Sequence, residues 1–396
     1  MIAKLKKKAT KTQEPPSSII ATTTGNANNA SAAQLPHLSL LTRTIQRTRK
    51  KNNPTPPEPV TAKEFNIPVQ YTLTQKEEQF LYYDSKDDNK THRTIIFTTE
   101  SNLTTLGAAE IWQADGTFDA VPRIFSQLYT IHAYIDHQAI PMVYILTTTK
   151  TTKLYKTVLQ KIQNMSENMN PPKQIICDYE KAFMKAVKKT HPETQITGCF
   201  FHLSQCIWHK IQEAGLQVQY SEDSILALNL KMLAALAFVP EKDVIYAFEK
   251  LLKTKYYTQN EKKLEPVIDY FEKTWIGLMN RRQERQPPHY EINLWNQYES
   301  VKNNTPRTNN SVEGWHGAFN KRAQGHHLPL WKMMDLLKKE QNLTDVKLSQ
   351  IEAGTISPAK KRKYRQADTR IKNIVDAYTR KQVISYLRGL ANNINY

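Results

Sequence analysis

The sequence has 396 residues, of which 39 % are hydrophobic and 23 % charged, and its formal net charge is +18. At ~150 residues per domain, this length predicts two or three folding units. The longest apolar run, residues 225–239, is shorter than the ~18 residues of a membrane helix and contains Lys231, which excludes a membrane-spanning protein. Three cysteines are too few for a disulfide framework or a Cys-rich zinc finger, and they fit a reducing compartment.

The positive charge is concentrated at the two ends of the sequence. Residues 1–60 and residues 359–396 each contain ten Lys and Arg against two acids, a net charge of +8 per segment, so the 298 residues between them carry only +2. Because Lys and Arg displace counterions from a polyphosphate, these segments predict contacts with DNA and import into the nucleus. The alternative is a pair of solvated tails that keep the protein soluble.

Residues 1–62 are expected to form a disordered basic tail. Ser, Thr, Asn, Ala and Pro dominate this segment, as in ATTTGNANNASAAQ and NNPTPPEP, and leave too little apolar surface to offset the entropy of ordering. No apolar stretch follows the basic start MIAKLKKKATK, so a secretory signal is not expected. A mitochondrial transit peptide is an alternative, because the segment is poor in acids and rich in Ser and Thr.

From about residue 78 the pattern predicts a mixed α/β sheet. FLYYDS and RTIIFTT are typical of a hairpin, and NLTTLGAAE is typical of a short helix. Alternation over residues 111–118 places Trp112, Ala114 and Phe118 on one face of a strand and Asp115 on the other. Further strands are expected at residues 125–135, 141–146, 174–177 and 195–201, with one helix around residues 154–162 and another around residues 183–187.

Beyond residue 203 the pattern predicts helices only. Residues 203–305 form a helical block, and the cluster Asn309-Asn310-Ser311 is expected to cap the next helix. On that helix the 3.6-residue period separates an apolar face, with Val312, Trp315 and Phe319, from a polar face with Glu313, His316, Gly317 and Asn320. A further helix is expected from Pro329, and a basic amphipathic helix at about residues 366–390 has apolar residues that would allow it to dock onto the core.

Two aspartates occupy positions in strands that are costly for a bare carboxylate. Asp115 lies inside the predicted strand 111–118, and Asp178 directly follows the predicted strand 174–177. With a glutamate from the polar face of the later helix, they would hold two divalent cations ~3.5–4 Å apart for phosphoryl transfer. Ligands that are all oxygen favour Mg²⁺ or Mn²⁺ over zinc. The alternative is that Asp115 only caps a turn at Gly116.

Four segments resemble the transposase domain of Mutator-like elements, the MULE family, over roughly residues 78–345. These segments are WQADGTFDAVPRIFSQLYTIHAY, IICDYEKAFMKAV, GCFFHLSQCIWHKIQ and NNSVEGWHGAFN, and their order and spacing also agree with the family. The resemblance implies a ribonuclease-H-like fold with an Asp-Asp-Glu site, interrupted by a helical insertion before the glutamate. It implies Asp115, Asp178 and Glu313 as the catalytic residues and metal ligands.

The resemblance and the sequence patterns together give domain boundaries. A ribonuclease-H-like mixed sheet flanked by helices is expected over residues 63–210 and 306–345, an all-helical insertion over 211–305, a disordered tail over 1–62, and a basic tail or helix over 346–396. Family members usually carry an N-terminal zinc-binding module that recognises DNA. Residues 1–77 contain no Cys and only His37, so that module is not expected in this segment and specific recognition of element ends is left open.

Other acids compete for the third ligand position. Glu180 and Asp119 are expected in a turn or at a helix start and not as ligands. Glu299 is the alternative to Glu313.

Cys199 and His202 form the Cys-x-x-His signature that the resemblance implies. A second pair, Cys206 and His209, follows after three residues, which is too few for a usual zinc finger. We therefore expect a hydrogen-bonded junction between a strand and a helix here, with zinc as the alternative.

The predicted function is Mg²⁺-dependent cleavage and strand transfer of DNA, in the nucleus, with element ends and target DNA as partners; self-association into a homo-oligomer is left open. The expected DNA contacts are His316, Asn320, Lys361, Arg362 and Lys363. The alternatives are a catalytically inactive domesticated transposase that binds DNA in chromatin, and a nuclease without strand transfer.

Overall fold

The structure is a computed structural model that describes residues 1–12, 14–25, 33–52, 56–86, 92–167, 169–355 and 361–394. The chain divides into two compact units, Met1–Pro59 with Pro329–Trp331 and Val60–Leu328 with Lys332–Tyr396. Within the described ranges, every helix is too short or too polar to cross a membrane.

The smaller unit contains helices α1 (Ile2–Lys11), α2 (Pro16–Thr24) and α3 (Leu38–Asn52). Their apolar side chains form one buried cluster, made of Leu5, Ala9, Ile19, Ile20, Leu41 and Ile45. The prediction of disorder was wrong for these helices, because average composition hides a few apolar residues at helical spacing. Residues 26–32 and 53–55, which supplied much of that composition argument, lie outside the described residues.

The larger unit is built on a sheet of seven strands within the described residues, which confirms the predicted mixed α/β sheet. The strands are β1 (Leu81–Asp84), β2 (Thr94–Phe97), β3 (Ile111–Thr117), β4 (Gln127–Ile135), β5 (Gln138–Thr147), β6 (Gln174–Cys177) and β7 (Gln195–Gly198). Their order across the sheet is β1-β2-β5-β4-β3-β6-β7. Strands β3, β6 and β7 run parallel to one another, and the other neighbours are antiparallel.

The helices that follow the smaller unit were largely expected from their periodicity. In chain order they are α4 (Glu100–Ala108), α5 (Thr152–Asn164), α6 (Lys181–Thr190), α7 (Phe200–Glu213), α8 (Gln217–Glu222), α9 (Ser224–Ala235), α10 (Val244–Leu252), α11 (Lys255–Gln259), α12 (Glu261–Phe271), α13 (Ile292–Trp295), α14 (Tyr298–Lys302), α15 (Asn310–Ala323), α16 (Leu330–Glu352), α17 (Arg362–Asp376) and α18 (Val383–Ala391). Short 3-10 turns occur at Val69–Tyr71, Leu236–Phe238, Glu241–Asp243 and Arg380–Gln382.

Alternation along the central strands gives the sheet two different faces. Trp112 and Ala114 of β3 are buried on one face, in a core shared with α5 and α6. Gln113 and Asp115 therefore face the other side, where α15 packs. Phe118 does not join the apolar face as predicted, because β3 ends at Thr117; its side chain is 48 % exposed.

Helices α15 and α16 are fixed on the polar face of the sheet by buried polar contacts. Arg322 of α15 forms a two-pronged ion pair with Glu340 of α16, at 2.5 and 2.7 Å, and Glu340 is 1 % exposed. The amides of Gln341 and Asn102 exchange hydrogen bonds at 2.8 and 3.0 Å, which joins α16 to α4. Because Glu340, Gln341 and Asn102 are buried, breaking either contact would leave a buried group without its partner, which fixes the register of both helices.

The helices between α7 and α15 have their own apolar core, centred on Phe238, Phe248 and Trp275. Helices α17 and α18 complete this core with Val375, Leu387 and Leu390, among others. The described part of the basic C-terminal segment is therefore folded and not disordered, because its apolar residues recur at helical spacing. The Tyr386 hydroxyl donates a hydrogen bond to the carbonyl of Phe238, which ties α18 to the insertion.

Candidate active site

Asp115 and Asp178 are brought together by the parallel pairing of β3 with β6. In this register Ala114 lies opposite Cys177, so the next residue of each chain segment is an aspartate at the same end of the sheet. Asp115 still belongs to β3 and is 7 % exposed, while Asp178 follows the end of β6 and is half-buried. The two carboxylates that spacing alone left uncertain are thus neighbours.

Glu313 comes from the first turn of α15 and reaches the same place. The start of α15 is held against β3 by Gln113, whose amide donates to the Thr308 carbonyl at 3.3 Å and accepts from the Ser311 hydroxyl at 3.0 Å. It is also held against α7, because the backbone N–H of Phe200 donates to the carbonyl of Arg307 at 3.0 Å. These contacts position Glu313 at the same site as Asp178, although 134 residues lie between them in the sequence.

The three acids line one cavity of about 510 Å³. Its lining consists of Asp115, Gly116, Phe118, Asp178, Glu180, Phe201, His202, Gln205, Glu313, His316, Gly317 and Asn320. All four polar-face residues predicted for α15 are among them. Glu180 is a fourth carboxylate in the cavity, where the sequence predicted a helix-start residue; it precedes α6 and its backbone N–H donates to Asp178 at 3.4 Å.

Burial and mutual repulsion disfavour the charged form of these acids. Burial, followed by the negative charge of Asp178, raises the pKa of Asp115 to about 8. Burial raises the pKa of Glu313 to about 6 and also raises the pKa values of Asp178 and Glu180. A cation bound near such a cluster would favour the charged form of its carboxylates.

His316 lies beside Asp115 and not on the open surface. Its Nδ1 is 3.7 Å from Asp115 Oδ2, and its Nε2 is 3.1 Å from the hydroxyl of Thr130. The same hydroxyl lies 2.9 Å from Nε2 of His132. Burial lowers the pKa of His316 to about 4, which favours the neutral ring. Asn320, one turn further along α15, has an Oδ1 atom without a hydrogen-bond partner in the described part of the chain.

Cys199 and His202 form a junction between β7 and α7, as predicted. Cys199 is fully buried at the N-cap of α7, and its Sγ accepts a hydrogen bond from the backbone N–H of Asn309 at 3.4 Å. Burial raises the pKa of its thiol to about 12. His202 lines the cavity, with Nε2 3.5 Å from Glu313 Oε1.

The other candidates lie elsewhere. Among the described residues, Asp119 and Glu299 do not line the cavity. Asp119 pairs with His326, and Glu299 is exposed on α14. Lys361, Arg362 and Lys363 are exposed at the start of α17 and are also absent from that lining. Of the two candidates for the third acid, Glu313 lines the cavity and Glu299 is not among its lining residues.

Two residues that the sequence analysis did not select lie at or near the cavity. Gln113 is a polar residue two positions before Asp115, on the same face of β3. This alternation is the feature of the sequence that could have identified it. Phe118 lines the cavity with an exposed ring, and Lys150 Nζ lies 3.8 Å from the centre of that ring. The positive charge of Lys150 partly opposes burial, because it lowers the pKa values of Asp178 and Glu180 that burial raises.

Comparison with known proteins gives one family. Residues 111–206 match the MULE transposase domain, which confirms the resemblance predicted from the sequence. The matched segment includes Asp115, Asp178, Cys199 and His202 and ends before Glu313. No curated protein matches the chain. The match indicates a transposase-type, DNA-processing function.

Proposed function

Since residues 111–206 are a match to the MULE transposase domain, we propose that this chain is a DNA transposase core that cuts and joins DNA at Asp115, Asp178 and Glu313. The observation that carries the proposal is the convergence of these three carboxylates, from two neighbouring strands and a distant helix, on one cavity. A structural role for each acid separately would not require them to meet.

We assign the sheet to the ribonuclease-H-like class that the resemblance implies. The support is the succession of three antiparallel strands, β3 to β5, followed by β6 and β7, which run parallel to β3. The first acid lies on the central one of these strands and the second follows its parallel neighbour. The helical block between α7 and α15 then matches the expected insertion before the glutamate.

The donor set fits Mg²⁺ or Mn²⁺. The cavity offers carboxylate oxygens from Asp115, Asp178, Glu180 and Glu313, the hard ligands that these cations prefer. Burial, and after it the charge of Asp178, raises the pKa of Asp115, and a bound cation would favour its charged form. When bound, a pair of such cations would activate a water or 3′-hydroxyl and stabilise the leaving oxygen. The chain's own contribution is to hold the carboxylates in register through the pairing of β3 with β6 and the contact of Gln113 with Ser311.

DNA is the proposed substrate, as both element ends and target, and the nucleus is the proposed location. Phe118 offers a half-exposed aromatic ring at the cavity, with the cationic Lys150 over that ring, and such pairs suit a base and its phosphate. The basic side chains at 361–363 are exposed and available for phosphate contacts. Neither the Phe118 ring nor the basic side chains would require base-specific hydrogen bonds to bind DNA.

The test is cleavage of supercoiled DNA with Mg²⁺ by the full chain and by Asp115→Asn, Asp178→Asn and Glu313→Gln. Each substitution keeps the shape of the side chain and removes its charge. Loss of a ligand is expected to slow cleavage by about a hundredfold or more, since a bound cation contributes several kcal/mol to the transition state. DNA affinity, measured by fluorescence anisotropy, is expected to be retained, and joined products would distinguish strand transfer from hydrolysis.

Asp119→Asn and Glu299→Gln are the matched controls, because they remove acids that lie outside the described lining of the cavity. Both are expected to cleave like the parent. Equal loss in a control and a site variant would overturn the assignment. A parent that binds DNA and cleaves none, including its own element ends, would support the inactive DNA-binding alternative.

A further inference from the structure

A second group of donor atoms, which includes sulfur, lies at the cavity: His202 and Glu313 line it, and the third member, Cys199, is fully buried next to them. Cys199, His202 and Glu313 each offer a ligand atom, and these atoms all lie within 4.8 Å of one another. The first two come from the N-terminal turn of α7 and the third from the first turn of α15. A tetrahedral zinc site requires ligand atoms roughly 3.3–3.6 Å apart, so closing this group needs movements of about 1 Å.

The sulfur of Cys199 is surrounded by hydrogen-bond donors. Besides the backbone N–H of Asn309 at 3.4 Å, the backbone N–H groups of Phe201 and His202 at the start of α7 act against burial by lowering the pKa of its thiol. A thiol sulfur is a weak acceptor, whereas a thiolate bound to a metal carries the charge that such donors stabilise. The side chain is fully buried, so the N–H groups are not there to bind water.

The other two members have buried atoms that lack partners. Among the described residues, Nδ1 of His202 and Oε1 of Glu313 make no hydrogen bond, although Nε2 of His202 lies 3.5 Å from that oxygen. Buried polar atoms are seldom left unpaired, and a bound ion is one recognised way of satisfying them. The unpaired Oε1 of Glu313 therefore lies with a ring nitrogen of His202 and a buried sulfur in one group of ligand atoms that a cation would satisfy.

We propose that Cys199, His202 and Glu313 bind a thiophilic divalent cation such as Zn²⁺. Three protein ligands with the fourth position open to the cavity is the arrangement of an exchangeable zinc site. Zinc was not expected from the sequence, because only three residues separate the two neighbouring Cys-x-x-His pairs. In the structure the second pair does not contribute, since Cys206 packs against the insertion core and His209 is exposed, and the third ligand comes from α15.

The site shares Glu313 with the proposed Mg²⁺ site, which has a regulatory consequence that rests on the proposed function. A glutamate that binds Zn²⁺ beside Cys199 is withdrawn from the pair of aspartates. Zn²⁺ is therefore expected to inhibit Mg²⁺-dependent cleavage, and removal of the sulfur in Cys199→Ser is expected to relieve that inhibition. The binding itself can be measured without any cleavage.

The experiment titrates Co²⁺ into the chelator-treated full chain and records its absorption spectrum. Co²⁺ replaces Zn²⁺ in such sites, and a cobalt–thiolate bond produces a charge-transfer band that oxygen ligands do not produce. The full chain is expected to show this band at one equivalent of Co²⁺, and Zn²⁺ is expected to abolish it. Absence of the band in the full chain would overturn the proposal, whether or not the chain cleaves DNA.

The variants identify the ligands. Cys199→Ser is expected to lose the charge-transfer band, and His202→Gln and Glu313→Gln are expected to bind Co²⁺ at least about tenfold more weakly, because even the loss of an outer-shell partner costs that much. The matched controls on the same helix are Cys206→Ser and His209→Gln, which are expected to keep the band. A band that survives Cys199→Ser, or one that disappears in Cys206→Ser, would contradict the assignment. Circular dichroism checks the folding of each variant, and His202→Gln decides if Cys199→Ser does not fold.

Discussion

Gln113 and Ser311 join the central strand to the helix of the third acid, through a hydrogen bond of 3.0 Å from the Ser311 hydroxyl to the Gln113 side-chain oxygen. Gln113 is fully buried and lies two residues before Asp115, while Ser311 lies two residues before Glu313. This contact, together with the bond from Gln113 to the Thr308 carbonyl, helps to fix the positions of two carboxylates that are almost two hundred residues apart in the chain.

Substitution of this glutamine tests that relationship. Gln113→Leu retains most of the volume but leaves the Thr308 carbonyl and the Ser311 hydroxyl without their partner. We expect a loss of about 1–3 kcal/mol in the free energy of unfolding, and weaker Mn²⁺ binding, because Glu313 is no longer held against β3. Urea unfolding and calorimetric Mn²⁺ titration measure the two effects. Gln219→Leu, at an exposed position of α8, is the control, and unchanged Mn²⁺ affinity in Gln113→Leu would exclude the positioning role.

The raised pKa of Asp115 predicts that the metal-free protein is less stable in alkaline solution. Its folded pKa of about 8 lies above the ordinary value of 3.8, so this group's contribution to stability falls as the pH rises from about 4 through 8. Each pKa unit is worth about 1.4 kcal/mol, and 1 kcal/mol corresponds to roughly 2–4 °C in a domain of this size. The melting temperature in chelator is therefore expected to fall by several degrees between pH 6 and pH 9.

Asp115→Asn isolates this effect from other titrating groups. The variant is expected to melt at a higher temperature than the parent at pH 9 and to show a smaller fall with pH, since the buried charge is removed. Mg²⁺ is expected to raise the melting temperature of the parent more at pH 9 than at pH 6. Equal slopes of melting temperature against pH in parent and variant would mean that ionisation of Asp115 does not cause the loss of stability at high pH.

Phe118 is predicted to bind single-stranded DNA through base stacking. Removing an aromatic platform typically costs ~1–3 kcal/mol per stacked base, so Phe118→Ala is expected to weaken binding about tenfold. Its half-exposed ring contributes little to the core, so the free energy of unfolding should barely change. Anisotropy with a fluorescent oligonucleotide measures the affinity. Phe118→Tyr should restore it, and Leu278→Ala, which removes an equally exposed apolar side chain of the insertion, should leave it unaltered.

The exposed basic residues at the start of α17 are predicted to contact phosphates. Replacing Lys361, Arg362 and Lys363 together by Gln is expected to reduce the slope of log affinity against log salt by about 0.9 for each lost contact. The control replaces three exposed lysines of the insertion, Lys242, Lys253 and Lys262, and is expected to leave the slope unchanged. Equal slopes for the parent and the α17 variant would assign DNA binding to other surfaces. Deleting α17 and α18 is the poorer experiment, because their apolar residues belong to a core.

Local patterns in the sequence predicted the elements that bear the acids. Alternation placed Asp115 and Trp112 on different faces of one strand, and the 3.6-residue period placed Glu313 and Trp315 on different faces of one helix. Both could be predicted because the periodicity of a single segment reveals which of its faces is buried. The convergence of the acids followed from the resemblance, because pairing of β3 with β6 depends on contacts between distant segments. The role of Gln113 and the approach of Cys199 to Glu313 were missed for the same reason. The helices of residues 2–52 were missed because a low average of apolar residues concealed their spacing.

The packing of α18 against α9 determines when the insertion is able to fold. Leu387 and Leu390 are fully buried in a core whose other members, such as Leu230 and Leu233, are synthesised far earlier. Contacts of such high sequence separation form late, because a long loop must close before they become favourable. During translation the half-built insertion will expose apolar surface while the sheet beside it is already complete. A nascent chain in this state is a substrate for chaperones and prone to aggregate, so the yield of folded protein should depend on the speed at which the residues after α16 are made.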